Sequence, residues 1–185
     1  PNGYSAMGGQ TLHPYGRKIL DTGGSSSGSG VSTTSNLSAG SLGSETSGSI
    51  LSPSSANSLV GMKPTVGNVS RAGIVPISST LDTAGPMTKF VIDNILIYNA
   101  INDFDPTDEY SVENFDIKLE SVIDKKTIGY RIGYYKSFYE RDLLYKNSID
   151  FLKEKGLDLI DIDAPEIKLE GFAKILDEDM RHDLR

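Results

Sequence analysis

Two stretches of this 185-residue chain place serine hydroxyls at the ends of glycine-containing turns: Gly23-Gly24-Ser25-Ser26-Ser27-Gly28-Ser29 and Ser44-Glu45-Thr46-Ser47-Gly48-Ser49-Ile50. Such turns can expose a hydroxyl beside several free backbone N–H groups, which is what stabilisation of an oxyanion requires. A hydroxyl nucleophile also needs a base. The histidines, His13 and His182, offer none that is usable. A deprotonated lysine, its pKa lowered by burial or nearby positive charge, is the main known substitute.

Other constellations carry less. Gly24-Ser25-Ser26-Ser27-Gly28 formally matches a G-x-S-x-G nucleophile elbow centred on Ser26. That motif needs a buried strand before the serine and a histidine after it. Only Lys18-Ile19-Leu20 precedes it, and the only later histidine is His182, so a serine-rich segment producing the match by chance is the better reading. Asp103, Asp105 and Asp108 have the opening spacing of a calcium loop. Asp108 stands where the loop needs glycine and Asn114 where it needs glutamate, so a solvated acidic loop is expected. From Tyr130 to Arg141 aromatic and basic residues interleave, as on a single-strand nucleic-acid platform. In an acidic chain, a strand and helix with packed aromatics fit better. No phosphate loop of the G-x-x-x-x-G-K type is present.

Composition narrows the classes further. There are no cysteines, which excludes a disulfide framework, a thiol nucleophile and cysteine zinc sites. Two histidines cannot make a three-histidine metal site. The net charge of −7 argues against nucleic-acid binding through broad electrostatics. No run of eighteen apolar residues marks a membrane helix. Expectations are therefore no metal, no cofactor, no nucleic acid and no membrane partner. The absence of cysteine is compatible with the cytoplasm. Residue 1 is Pro rather than Met, so the chain reads as processed, trimmed or a piece of something longer.

Charge is unevenly spread: residues 1–100 hold five basic and four acidic groups, leaving a net of −8 on the rest. From Gly23 to Ser58 there are fifteen Ser and seven Gly in 36 positions. A flexible linker is the default for such a stretch. Against it stand the recurring apolar residues Val31, Leu37, Leu42, Ile50 and Leu51, and the clustering of glycine, which suits tight turns. The expected elements are a small-residue helix over 26–39, a short strand over 41–46 and a helix over 50–59 with Pro53 in its first turn. Residues 63–79 read as loop. Pro86 is expected to open a helix running to about Asn102, with Val91, Ile92, Ile95, Leu96 and Tyr98 on its buried face. Beyond it come a strand over 126–133, an amphipathic helix over 137–155 ended by Gly156, a strand over 157–162 and a helix over 167–185. Strand, helix, strand, helix is an α/β pattern with a parallel pair. Residues 1–102 read as a Gly/Ser-rich catalytic core and 103–185 as its strand–helix continuation.

The ordered motifs resemble the amidase signature family. That family carries GGSSGGS, then GTDTGGSI about twenty residues on, then GLKPT, VSRxG and SLDxxGPM. Here the corresponding stretches are Gly23–Ser29, Gly43–Ile50, Gly61-Met62-Lys63-Pro64-Thr65, Val69-Ser70-Arg71-Ala72-Gly73 and Thr80–Met87. Gly9-Gln10-Thr11 with Pro14 is similar to the family's GQTxNP segment. The match spans about residues 2–100. It implies a mixed α/β sheet flanked by helices, and amide hydrolysis by a serine, cis-serine, lysine triad through an acyl-enzyme. By position, Ser49 is the implied nucleophile. Ser25 is the implied bridging serine, held by a cis peptide after Gly24. The N–H groups of Thr46, Ser47, Gly48 and Ser49 are the implied oxyanion hole, where losing one donor typically costs about 3 kcal/mol.

The chain departs from the family pattern at several points. Glu45 replaces the usual Asp, Ser47 a Gly, and His13 the Asn of the NP segment. Leu51 stands where many members have an Arg that could meet a substrate carboxylate. The family's catalytic lysine lies well before the first serine element. Lys18 is too close to Ser25 to match it, and Lys63 belongs to the structural KPT motif. The reading is thus an internal piece of an amidase acting on a small-molecule amide, with its lysine outside the chain and the piece alone inactive. The alternatives are a non-catalytic relic or binding module, and a glutamine-hydrolysing amidotransferase subunit.

Overall fold

The computed structural model describes residues 2–123, 130–163 and 169–184. Two compact units form, Pro1–Leu119 with Gly171–Arg185, and Glu120–Glu170.

The first unit opens with a short antiparallel hairpin, β1 (Tyr4–Ser5) against β2 (Gly9–Gln10). The Gly/Ser-rich stretch then folds as α1 (Ser27–Thr34), β3 (Gly40–Glu45) and α2 (Leu51–Ala56), close to the expected elements. With β4 (Val60–Gly61) and β5 (Thr83–Thr88), β3 makes a three-stranded antiparallel sheet in the order β3-β5-β4. α1 packs on β3 and β5. It has almost no apolar side chains to interdigitate, so hydroxyls join it to the strand. The Ser29 hydroxyl donates to Leu42 C=O at 2.7 Å, Ser41 Oγ donates to Ser29 C=O at 2.9 Å, and Thr33 Oγ1 donates to Ser41 Oγ at 2.8 Å. Small residues allow this close approach, and the hydroxyls satisfy carbonyls that would otherwise lose water.

Pro86 does not open a helix. It lies inside β5, opposite Leu42, and its carbonyl accepts from Met62 N–H at 3.0 Å. Pro86 cannot return an N–H to that partner, which fits the end of the β4–β5 pairing at Gly61–Met87. The helix α3 (Val91–Ile101) starts after Phe90, which is extended. It presents a narrow stripe to the sheet. Asn94, Ile95 and Tyr98 are buried, whereas Val91, Ile92 and Leu96 are exposed. Asn94 Nδ2 donates to Val60 C=O at 2.9 Å and to Pro86 C=O at 3.1 Å, tying α3 to two strands. Ile50 and Met87 are wholly buried, and Val69, Ala84 and Tyr98 form an adjoining core cluster.

The second unit holds α4 (Glu120–Ile123), β6 (Arg131–Tyr135), α5 (Lys136–Arg141), α6 (Leu143–Glu154) and β7 (Asp158–Ile162). β6 and β7 are the expected parallel pair. The expected strand at 126–133 falls partly on residues 124–129, outside the described ones. The single helix expected at 137–155 is two, because Asp142 is extended and its carboxylate accepts from Tyr145 N–H at 2.9 Å, capping α6. Among the aromatics of 130–141, Tyr134 packs with Tyr139, and Phe138 with both Tyr135 and Tyr145 of α6. α7 (Phe172–Asp183) belongs to the first unit. No helix among the described residues is long and apolar enough to cross a membrane.

The acidic loop is a clamp. Asp108 takes Arg71 Nη2 at 2.9 Å, Nε at 3.1 Å and its backbone N–H at 2.9 Å, while Tyr110 stacks on the guanidinium at 4.4 Å. Asp105 accepts from the Ser70 hydroxyl at 2.5 Å. Among the described residues no three metal-ligating side chains cluster. The Arg71 guanidinium holds the Asp108 carboxyl well below the usual carboxylate range. Because that pKa is depressed in the fold, its stabilisation is complete above the unfolded value of about 4 and fades as pH falls below it. Asp108→Asn should cost about 3 kcal/mol at neutral pH by leaving Arg71 without its charge partner. Its melting temperature should also fall less between pH 4 and 2 than that of the unaltered chain. Parallel acid slopes in thermal melts would contradict the clamp.

Candidate active site

The first serine turn is built on Gly23, whose φ of +64° lies in the left-handed region. Asp21 Oδ1 accepts its N–H at 2.8 Å, and its carbonyl accepts from the Ser27 hydroxyl at 2.5 Å. The buried Asn57 donates to Thr22 C=O at 2.9 Å and to Pro53 C=O at 2.8 Å, holding the turn against α2. The peptide bond between Gly24 and Ser25 is cis. Ser25 itself is exposed. A β-carbon on Gly23 would stand 2.7 Å from Pro53 N and from Ser52 C and O, all backbone atoms. Gly23→Ala should therefore destabilise by more than about 1 kcal/mol, the positive φ adding to the clash. A melting temperature equal to the parent's would contradict this packing.

The second turn follows β3. Its Glu45 is buried, and its Oε2 accepts from Ile50 N–H at 2.8 Å and Leu51 N–H at 2.9 Å. The carboxylate thus closes residues 46–49 into a loop and satisfies the start of α2, where negative charge is favoured. Gly48 has φ +95° with open space at its β-carbon position, and its carbonyl accepts from Ser52 N–H at 2.7 Å. Among the described residues, the N–H groups of Thr46, Ser47, Gly48 and Ser49 donate to no protein acceptor.

The two turns meet through their backbones: Ser26 N–H donates to Ser49 C=O at 3.2 Å. Ser26 Oγ is occupied by the backbone of Ser44, donating to its carbonyl and accepting from its N–H, both at 3.2 Å. That hydroxyl joins the turn to β3, which removes it as an elbow nucleophile. His182 is on α7 and contacts Asp183. The hydroxyls of Ser25 and Ser49 hydrogen-bond to no described residue, lysines included.

Three structural residues of the site are not readable from local pattern. His13 is buried, its Nδ1 accepting from Tyr15 N–H at 3.2 Å and its Nε2 lying 3.0 Å from Ala56 C=O, so Nε2 carries the proton. Asn57 holds the first turn, as above. Asp82, also buried, accepts from the Thr46 hydroxyl at 2.5 Å and from the N–H groups of Ile77 and Ser78 at 2.7 and 2.9 Å. Each acts across more than thirty residues. The one signal at Asp82 is its place within the Thr80–Met87 motif, which says nothing of Thr46.

The chain matches the amidase family model over residues 1–177 and belongs to that family. It is 53% identical over 109 residues to a probable amidase of Arabidopsis thaliana, covering 59% of this chain and 21% of that protein. It is 39% identical over 153 residues to a glutamyl-tRNA(Gln) amidotransferase subunit of Neisseria meningitidis, covering 80% of this chain and 32% of that protein. Its fold superposes on the peptide amidase of Stenotrophomonas maltophilia with a TM-score of 0.87 and 33% identity, covering 99% of this chain and 39% of the amidase. An amidase family protein from Bacillus anthracis superposes with the same TM-score at 32% identity, with 100% and 38% covered. The chain therefore spans between about a fifth and two fifths of the length of these relatives, and its mixed α/β architecture is that of the amidase signature fold.

Proposed function

We propose that this chain carries the nucleophile and oxyanion hole of a serine amidohydrolase acting on a small-molecule amide. Ser49 Oγ bonds to the amide carbonyl carbon, and its proton passes through Ser25 to a lysine amine supplied from outside these 185 residues. The carbonyl oxygen, now negative, is held by the amides of Thr46, Ser47, Gly48 and Ser49. The C–N bond then breaks as the proton is delivered to the leaving nitrogen. Water enters by the same proton path and releases the acid from Ser49. The observation that carries this reading is the 46–49 loop, closed by Glu45 and bonded to the Ser25 turn, whose four amides meet no acceptor among the described residues.

A second reading, a glutamine-hydrolysing amidotransferase component, is favoured by the 39% identity to the Neisseria glutamyl-tRNA(Gln) amidotransferase protein. The chemistry at Ser49 is the same in both. An ammonia-release assay on the protein at its native length separates them, with glutamine, a primary aryl amide and a peptide amide as substrates. Release from the simple amides without a partner supports the first reading. Release from glutamine alone supports the second, and no C–N cleavage of any of the three would refute both.

A further inference from the structure

We propose that Asp82 is a positioning residue for the oxyanion loop, acting through the side chain of Thr46. This rests on the reading of residues 46–49 given above. Thr46 is the first residue after β3, and its amide heads the row of four. The loop's far end is fixed by Glu45, which reaches across to Ile50 and Leu51. Its near end is tethered by the 2.5 Å bond from Thr46 Oγ1 to Asp82 Oδ1.

Asp82 can serve as an anchor because it is itself immobilised. Its other oxygen accepts two backbone amides, Ile77 and Ser78. The loop bearing those amides is gripped from α7. Asp179 Oδ2 accepts from the hydroxyls of Ser78 and Thr80 at 2.5 and 2.6 Å, and Asp183 Oδ2 accepts from Ser79 N–H at 2.7 Å. The Ser79 carbonyl also accepts from Arg71 Nη1, and Arg71 is clamped by Asp108. The first oxyanion donor is thereby connected to a rigid network that contains neither proposed catalytic serine. A donor misplaced by a fraction of an ångström loses transition-state stabilisation without losing substrate binding.

The decisive variant is Thr46→Val, which removes the hydroxyl, keeps the shape and leaves Asp82 its two amides. In the protein at its native length it should lower kcat about 10-fold with KM within twofold, and weaken an aryl boronic acid, a mimic of the tetrahedral adduct, by the same factor. Asp82→Asn keeps an acceptor for the amides and can donate its Nδ2–H to Thr46 Oγ1. It should fall between parent and Thr46→Val. Asp82→Ala combined with Thr46→Val should be no slower than Asp82→Ala alone. If Asp82→Ala does not fold, the first two variants decide. Parent-like kinetics in Thr46→Val, an effect on KM alone, or additive losses in the double variant would overturn the role of Asp82. Failure of the unaltered protein to bind the boronic acid or cleave amides would instead overturn the underlying assignment of the site.

Discussion

Ser49→Ala will reduce kcat for amide hydrolysis by about 10⁶-fold, the loss seen when a hydrolase loses its covalent nucleophile, while KM for the same amide changes little. The expectation follows from how position 49 is held. Its carbonyl accepts from Ser26 N–H, so the residue is fixed against the first turn. It also ends the row of four amides that meet no acceptor among the described residues, which places its hydroxyl beside the proposed oxyanion hole. Removing Oγ leaves those amides, the Glu45 bridge and the start of α2 intact, since none of them uses the hydroxyl. Stopped assays with a chromogenic anilide, at enzyme concentrations high enough to detect residual turnover, measure this. A variant retaining more than a tenth of parental kcat would mean that another group attacks.

The second large effect is at Ser25. Ser25→Ala should lower kcat by about 10²–10⁴-fold, the usual range for a group that moves a proton in the transition state. Its backbone is engaged, the carbonyl accepting from Ser27 N–H at 2.8 Å, but its hydroxyl meets no described protein group. The residue is exposed at the end of a turn that Asp21, Ser27 and Asn57 hold in place. A hydroxyl kept free on a rigid turn suits a relay better than a structural bond. The signature to seek is a kcat loss with KM preserved and slower labelling of Ser49 by an organophosphorus reagent. A Ser25→Ala protein that labels at the parental rate would show that the proton travels another way.

The two turns of the candidate site are legible in the sequence, and the reason is physical. Turns that need positive φ and close backbone approach restrict residue choice to Gly and Ser over a few consecutive positions, and Gly23 and Gly48 sit at φ +64° and +95°. The small-residue helix and the strand after it were equally readable, as α1 and β3. Proline is favoured both at helix starts and where a strand ladder ends, so the residue type alone does not separate the two; here the β4–β5 pairing ends at Gly61–Met87, next to Pro86. The break at Asp142 is an N-cap whose signal, present in the residue type, is hidden inside a continuous amphipathic pattern. Asp82, Asn57 and His13 belong to another class. Their bonds span 36, 35 and 43 residues, and no periodicity or local motif encodes a partner at that distance.

The central claim is that Ser49 is the group that becomes acylated. Treating the protein at its native length with a fluorophosphonate and mapping the adduct by tandem mass spectrometry tests it directly. The account predicts one adduct, on Oγ of Ser49, abolished by Ser49→Ala and prevented by prior boronic acid binding. An adduct on Ser25, Ser26, Ser44 or Ser47 with Ser49 unmodified would contradict it.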